Sequence, residues 1–471
     1  MMREAIYFAA MGILTATAGA QEPPGSPIPP DSEIRNILVQ RIDEFHQSVG
    51  IVVGMIGPNG RKVVSYGALE KGDPRVLNGD TVFEIGSVTK VFTSLLLSDM
   101  VQRGEVALTD PVSKYLPAGV KVPQRKGRQI TLEDLATHTS GLPRLPGNLK
   151  PKDATNPYAD YTIAQMYEFL SSYELTRDIG SQYEYSNLGG GLLGHVLALR
   201  AGQDYESLVR SRITGPLGMK DTGIALSPGM KARLAVGHDD KLKPAANWDL
   251  PTLAGAGALR STANDLLTFL AANLGYTKTP LALAMAAMLN VRRPSGNAGL
   301  EIALAWHILS ATGDDGMIVW HNGGTGGYRS FIGFNPKTCV GVVVLANAET
   351  TAGVDDIGLH LLRPKAPLLD ASAFRPPKEH KEIAVDPKLF GRYAGRYELA
   401  PNFILTITRE ADHLFAQATG QPKFELFAEG EKEYFLKVVD AQISFEVDAA
   451  GKANQLVLHQ MGRDMPAKRI E

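Results

Sequence analysis

The stretch from Arg363 to Pro387 divides this chain into two parts that follow different sequence patterns. It carries Pro364, Pro367, Pro376, Pro377 and Pro387 among charged residues, a composition that interrupts both helices and interior strands, so it reads as a linker. Beyond it come short runs of strand-forming residues at 393–399, 403–408, 414–418, 434–438, 443–447 and 456–459, with Gly420, Gly430 and Gly451 between them. Short strands in series, punctuated by turn residues, predict a small antiparallel barrel or sheet over 388–471. Before the linker the pattern is mixed. Residues 51–56 and 63–66 read as strands around the turn Pro58-Asn59-Gly60, 95–102 and 266–274 as helices, and 331–334 and 340–345 as paired strands of one sheet. The expected fold class is α+β: an antiparallel sheet flanked by helices over 33–362, followed by the small C-terminal β domain.

The larger part holds the chemistry. Ser87 and Lys90 stand three residues apart, after the extended run Thr81-Val82-Phe83-Glu84-Ile85 and the breaker Gly86. Val91, Phe92, Leu95, Leu96 and Val101 follow at buried-helix spacing, with Gly104 as a stop signal. In a helix, positions i and i+3 share a face, so the amine can reach the hydroxyl. A serine at a helix N-terminus also gains from free backbone N–H groups when an acyl-transfer transition state develops negative charge. Such a pair alone is common. In this chain it has company downstream: Tyr185-Ser186-Asn187, then His321-Asn322-Gly323-Gly324-Thr325-Gly326-Gly327.

The order and rough spacing of the three motifs resemble those of serine β-lactamases and penicillin-binding proteins. The segment from Phe83 to Lys90 is similar to the nucleophile segment of class C β-lactamases and the related esterases, D-aminopeptidases and DD-peptidases. Further similar stretches are Ile130-Thr131-Leu132 through Pro143, Tyr185 through Gly194, and Gly215-Pro216-Leu217-Gly218-Met219. The resemblance covers roughly Glu33 to Leu362, and the last part resembles the lipocalin-like C-terminal domains of some members. It implies a β-lactamase/transpeptidase-like fold and a role for each matched residue. Ser87 is the expected nucleophile, activated by an adjacent base. Lys90 and Tyr185 are the candidates for moving its proton, with the choice between them open. Asn187 is expected to direct a substrate amide or the Lys90 amine. His321, Gly323 and Gly324 are expected on the substrate-binding strand, with backbone N–H groups of Ser87 and Gly324 forming the oxyanion hole.

One motif departs from the β-lactamase pattern. Where those enzymes carry lysine, a small hydroxyl residue and glycine, this chain has His321, Asn322 and Gly323. A histidine with a pKa near ~6.5 is mostly neutral at pH 7, so it offers a substrate carboxylate no permanent cation. Histidine in this place resembles D-aminopeptidases and other members, and Arg329 is a candidate to supply the missing charge. Gly189, Gly191 and Gly194 form a GxGxxG that follows no clear strand, so close backbone packing explains it better than dinucleotide binding. No GxSxG nucleophile elbow occurs, and no histidine pair has the spacing of a helical zinc site. His138 reads as a structural hydrogen-bonding residue, and neither metal nor cofactor is expected.

Location and partners follow from the ends and the charge. Arg3, the apolar run from Ala5 to Leu14 and Ala18-Gly19-Ala20 form a secretory signal pattern over 1–20, and a proline-rich spacer runs over 21–32. The apolar run is too short to span a bilayer, so no membrane span is expected after cleavage. A periplasmic or secreted protein is expected. Cys339 is the sole cysteine and reads as a small buried strand residue, which excludes an internal disulfide. A net charge of -2 gives no electrostatic case for nucleic acid. The partner is therefore a small-molecule or peptide substrate, with oligomeric state open. The leading expectation is an exported serine hydrolase of the class C β-lactamase type. D-aminopeptidase, DD-carboxypeptidase or esterase activity, or a non-catalytic penicillin-binding sensor, are the alternatives.

Overall fold

The computed structural model describes residues 28–370, 380–400, 403–421, 423–437, 441–460 and 463–471. The expected signal peptide, residues 21–27 of the spacer and residues 371–379 of the linker lie outside the described residues. The last residues of that spacer belong to the fold, since Ile28 is buried and a helix begins at Asp31.

An eight-stranded antiparallel sheet organises the larger part. From edge to edge it runs Gly60–Gly67, Gly50–Gly57, Val340–Ala346, Arg329–Asn335, Ile318–Gly324, His307–Leu309, Leu300–Ile302 and Arg293–Pro294. The first two strands form the expected hairpin, and Phe331 pairs with Val344 as the two apolar runs foresaw. Successive side chains of a strand face opposite sides, and the central strands of this sheet are apolar on both. Val52, Ile332, Val343 and Leu345 therefore join one core. Ile51, Val53, Phe331, Val342 and Val344 join another, under the helices Asp31–Val39 and Asp355–Leu362. The result is a sheet between two helical layers.

The nucleophile helix, Thr89–Gln102, lies inside the first of those cores. Every residue from Thr89 to Met100 is buried, as expected of a helix that is apolar nearly all round. It ends at Gln102, with Gly104 at φ +70° just beyond, as the stop signal implied. A second helix, Asn187–Ala201, packs beside it, capped at its start by the Ser186 side chain and closed by Gly202 at φ +64°. Burial all round has a direct consequence: a charged side chain on the first turn of the nucleophile helix is stripped of nearly all its hydration.

The C-terminal part is a closed eight-stranded antiparallel barrel from Gly395–Ala400 to Arg463–Arg469. Two of its strands, Lys423–Ala428 and Arg463–Arg469, were not among the expected runs. Both alternate apolar residues with charges, and the second contains Pro466, so neither reads as a strand until closure supplies partners on both edges. The interior is filled. Tyr397, Tyr434, Phe445, Leu456 and Ile407 are buried there, with Phe390 and Tyr393 packing in from a short helix. The chain already engages the barrel before residue 388: Ile383 N–H donates to the Ala428 carbonyl at 2.9 Å.

Cys339 is a correction. It sits in the turn before strand Val340–Ala346, half-buried and at φ +55°, because the hairpin from Asn335 needs a left-handed residue there.

Candidate active site

The nucleophile is placed by a glycine that nothing else can replace. Strand Val82–Glu84 ends at Ile85, and Gly86 turns the chain at φ +48° into a short 3-10 turn, Gly86–Val88, that leads into the nucleophile helix. A Cβ on Gly86 would lie 2.7 Å from both the amide nitrogen and the carbonyl oxygen of Gly324. One on Gly323 would lie 2.1 Å from the Ile85 carbonyl. The strand Ile318–Gly324 thus approaches the turn backbone to backbone, and Ser330 Oγ fixes it by donating to that carbonyl at 2.8 Å. Ser87 follows this junction with its side chain half-buried.

Lys90, one helical turn on, is 2% exposed. Its Nζ is 3.1 Å from Ser87 Oγ, 2.9 Å from Asn187 Oδ1 and 2.7 Å from the Ala256 carbonyl. Burial pushes its pKa well below the usual lysine range, and the nearby Arg144 guanidinium pushes the same way. A neutral amine has two hydrogens and one lone pair. The amide oxygen of Asn187 and the carbonyl of Ala256 can only accept, so they take the hydrogens. The lone pair is left for the Ser87 hydroxyl.

The carbonyl of Ala256 reaches Lys90 through glycine packing. The segment Ala254–Gly257 wedges between the two helices, where a Cβ on Gly191 would lie 2.6 Å from Leu253 and one on Gly194 would lie 2.8 Å from Gly255 Cα. A Cβ on Gly190 would lie 3.0 Å from Lys90 Cε. Close backbone packing is therefore what the GxGxxG provides.

The second motif enters just before helix Asn187–Ala201. Ser186 Oγ donates to the Pro143 carbonyl at 2.6 Å, and Ser186 N–H donates to His138 Nδ1 at 3.1 Å. Asn187 N–H donates to the Arg144 carbonyl at 2.9 Å, and Asn187 Nδ2 donates to the Tyr158 hydroxyl at 3.3 Å. Tyr185 lies with its ring centroid 4.7 Å from Lys90 Nζ and 4.5 Å from the His138 ring. Burial raises its phenol above the usual tyrosine range, and a hydrogen bond with Ser87 offsets part of that rise. It therefore stays protonated at neutral pH.

The third motif divides across the sheet. His321 faces the site, fully buried, 6.3 Å between ring centroids from Tyr185 and stacked on His307 at 5.0 Å. Burial holds it well below the usual histidine pKa, and His307 and Lys90 add to the effect. It is a neutral group. Asn322 turns to the other face and donates to Asp355 Oδ2 at 2.5 Å. Burial raises that carboxyl to about 6 in spite of the hydrogen bond. Arg329, the candidate for the missing charge, lies across from Gly324 with Nη1 against its Cα face. Its Nη2 is paired with Glu349 at 2.8 Å and its Nε donates to the Thr350 carbonyl at 3.0 Å.

The structure thus gathers Ser87, Lys90, Tyr185, Asn187, His321, Gly323 and Gly324 at one place. His138 is found in the hydrogen-bonding role expected of it. Tyr158, Arg144 and the Ala256 carbonyl are additions. Arg144 directly follows the segment ending at Pro143, which was its one visible signal, and a backbone carbonyl has no sequence signal at all. Among the described residues no group of three or more His, Cys, Asp or Glu could hold a metal ion.

Comparison with known proteins adds to this geometry. The sequence matches the β-lactamase family over residues 38–364, and over residues 379–469 a family described as a domain of unknown function. It is 32% identical over 346 residues to the D-alanyl-D-alanine-carboxypeptidase/endopeptidase AmpH of Escherichia coli, a match covering 69% of this chain and 88% of that one. A penicillin-binding protein of Bacillus subtilis is 26% identical over 458 residues, covering 92% of this chain and 98% of that one. Among solved structures, a β-lactamase/D-alanine carboxypeptidase from Yersinia pestis superposes with a TM-score of 0.62 at 26% identity, over 70% of this chain and 97% of that one.

Proposed function

Because the chain belongs to the β-lactamase family, we propose that it is an exported serine hydrolase that cleaves β-lactam or related amide bonds through an acyl-enzyme on Ser87. The single observation that carries this reading is the bonding of Lys90 Nζ, whose two acceptor-only partners leave its lone pair for the Ser87 hydroxyl 3.1 Å away. Ser87 Oγ attacks the acyl carbon while its proton passes to Lys90 Nζ. The backbone N–H groups of Ser87 and Gly324 receive the developing oxyanion, a role supported by the contact between Gly86 and Gly324. As the C–N bond breaks, the Tyr185 phenol gives its proton to the leaving nitrogen and regains one from Lys90. Water then cleaves the ester by the reverse route, with the proton returned to Ser87.

This assignment makes Lys90 the general base and Tyr185 the acid. The opposite pull of burial on the two pKa values supports it, since burial favours a neutral amine and a neutral phenol alike. A second reading, D-alanyl carboxypeptidase activity, is favoured by the similarity to the Escherichia coli carboxypeptidase.

Intact-mass spectrometry after mixing with benzylpenicillin or a D-Ala-D-Ala peptide tests the proposal. The expected result is a transient adduct on Ser87 with product release, and none with Ser87→Ala. A stable adduct without turnover on either compound would leave a penicillin-binding sensor as the better reading. Turnover that survives in Ser87→Ala would remove Ser87 as nucleophile.

A further inference from the structure

The site is poor in positive charge for one that must hold an anionic substrate. Lys90 is drawn to its neutral form, and burial lowers the pKa of His138, His307 and His321, that of His307 to about 4. Arg329 has its charge matched by Glu349. Arg144 differs from all of these. It is exposed, and its guanidinium has no hydrogen bond or ion pair among the described residues. The guanidinium carbon stands 5.2 Å from the centroid of the Tyr185 ring. Its field reaches Lys90, His138, Tyr158, Tyr183 and Tyr185, so it faces the reacting groups and not the outer surface alone.

The backbone fixes that placement. The Arg144 carbonyl accepts from Asn187 N–H at 2.9 Å and from Leu188 N–H at 3.2 Å, while the preceding Pro143 carbonyl holds Ser186. Arg144 and the second motif therefore move as one body. An arginine held over an aromatic ring by cation–π attraction uses none of its N–H donors for that contact, and they remain available for bidentate carboxylate binding.

We infer that Arg144 is the receptor for the substrate's free carboxylate, supplying from the Pro143 segment the cation that the His321 strand lacks. The inference rests on the proposed acyl-transfer site and names a specificity determinant within it: substrates with a carboxylate beside the scissile amide, as in a D-Ala-D-Ala terminus.

Binding to the Ser87→Ala protein separates this inference from the reaction itself, because no turnover is needed. Isothermal titration compares a D-Ala-D-Ala peptide bearing a free carboxylate with the same peptide amidated at its C-terminus. A charge-assisted pair is expected to favour the free acid by about 10-fold or more. Adding Arg144→Gln should collapse that preference to within about 2-fold, Arg144→Lys should retain part of it, and Arg329→Gln should leave it intact. Circular dichroism of each variant checks folding, and should Arg144→Gln fail to fold, Arg144→Lys and Arg329→Gln decide the matter. A preference that survives in Arg144→Gln, that is lost in Arg329→Gln, or that is absent from the parent protein overturns the inference. Failure of the hydrolase reading would show separately, as absence of an acyl adduct in the wild-type protein.

Discussion

The two folded parts of this chain bury their polar groups in opposite ways. In the barrel, three tyrosines enter an apolar interior, and each hydroxyl finds a carbonyl: Tyr397 that of Tyr393 at 2.7 Å, Tyr393 and Tyr434 that of Glu431 at 2.8 and 3.2 Å. Among its described residues one buried side-chain atom, Thr408 Oγ1, lacks a partner. In the larger part, burial draws Lys90 towards its neutral form, and ring nitrogens of His138, His307 and His321 stand buried without partners, the first and last against Tyr185 and His307 stacked on His321. Buried polar groups in water-excluding cores are normally satisfied, and clusters that are not mark places where structure serves something other than stability. The barrel satisfies nearly all of its buried polar groups. The site beside the sheet leaves several unpaired, a cost in stability that the proposed chemistry would account for.

Four measurements can break or sharpen that contrast. The largest effect should come from Lys90→Met, which is expected to slow acylation by benzylpenicillin by about a thousand-fold or more, read by stopped-flow or mass spectrometry. The same change should raise the thermal midpoint, because it replaces a buried amine with an apolar chain of similar length. A variant that lost both activity and stability would show Lys90 to be part of the scaffold.

Phe445→Ala, in the barrel core, should cost about 3–5 kcal/mol of barrel stability, seen as faster hydrogen exchange in the barrel strands. Acylation of Ser87 should persist. Its loss would mean that the two parts do not divide labour between folding and chemistry.

Acid should act on the larger part first. His138, His307 and His321 are neutral in the folded state well below the ordinary histidine pKa of ~6.5, so the unfolded chain binds more protons from there downward. Stability of this part should fall as pH drops from about 6.5 towards the folded value of about 4 for His307. Asp355, raised to about 6, works in the other sense by taking up a proton on folding, and offsets a share of the loss. Urea midpoints at pH 7 and pH 5 measure the net, and a higher midpoint at pH 5 would contradict the expected sign. The smallest effect belongs to Thr408→Val, which removes the barrel's unpartnered hydroxyl and should shift stability by less than about 1 kcal/mol.

Sequence reasoning reached what is local and stopped at what is assembled. The Ser87 and Lys90 spacing works within one helical turn, and Val52 or Val343 announces its strand through the side chains beside it. The strand Arg463–Arg469 does not, because Pro466 and its charges are tolerated only when Leu456 and Val457 of the neighbouring strand lie alongside. Cys339 followed its apolar neighbours by composition and departed from them by backbone angle, set by the hairpin and not by the residue. Arg144 was passed over because nothing in its type distinguishes a surface arginine from one whose carbonyl anchors Asn187. Among the charges, the state of Lys90 depends on burial by residues far along the chain.

The wedge at Ala254–Gly257 shows how such a site can be vulnerable where it carries no reactive group. Ala256 contributes only its carbonyl, which every amino acid possesses, so the contact at 256 depends on where the backbone lies and not on side-chain chemistry. What can delete it is bulk at Gly191, Gly194 or Gly255, which would lift the loop away and leave an N–H of Lys90 without its acceptor. Control of the base is therefore shared with residues that never touch it: the glycines that let the loop approach are as constrained as the buried Ala256 whose carbonyl makes the contact.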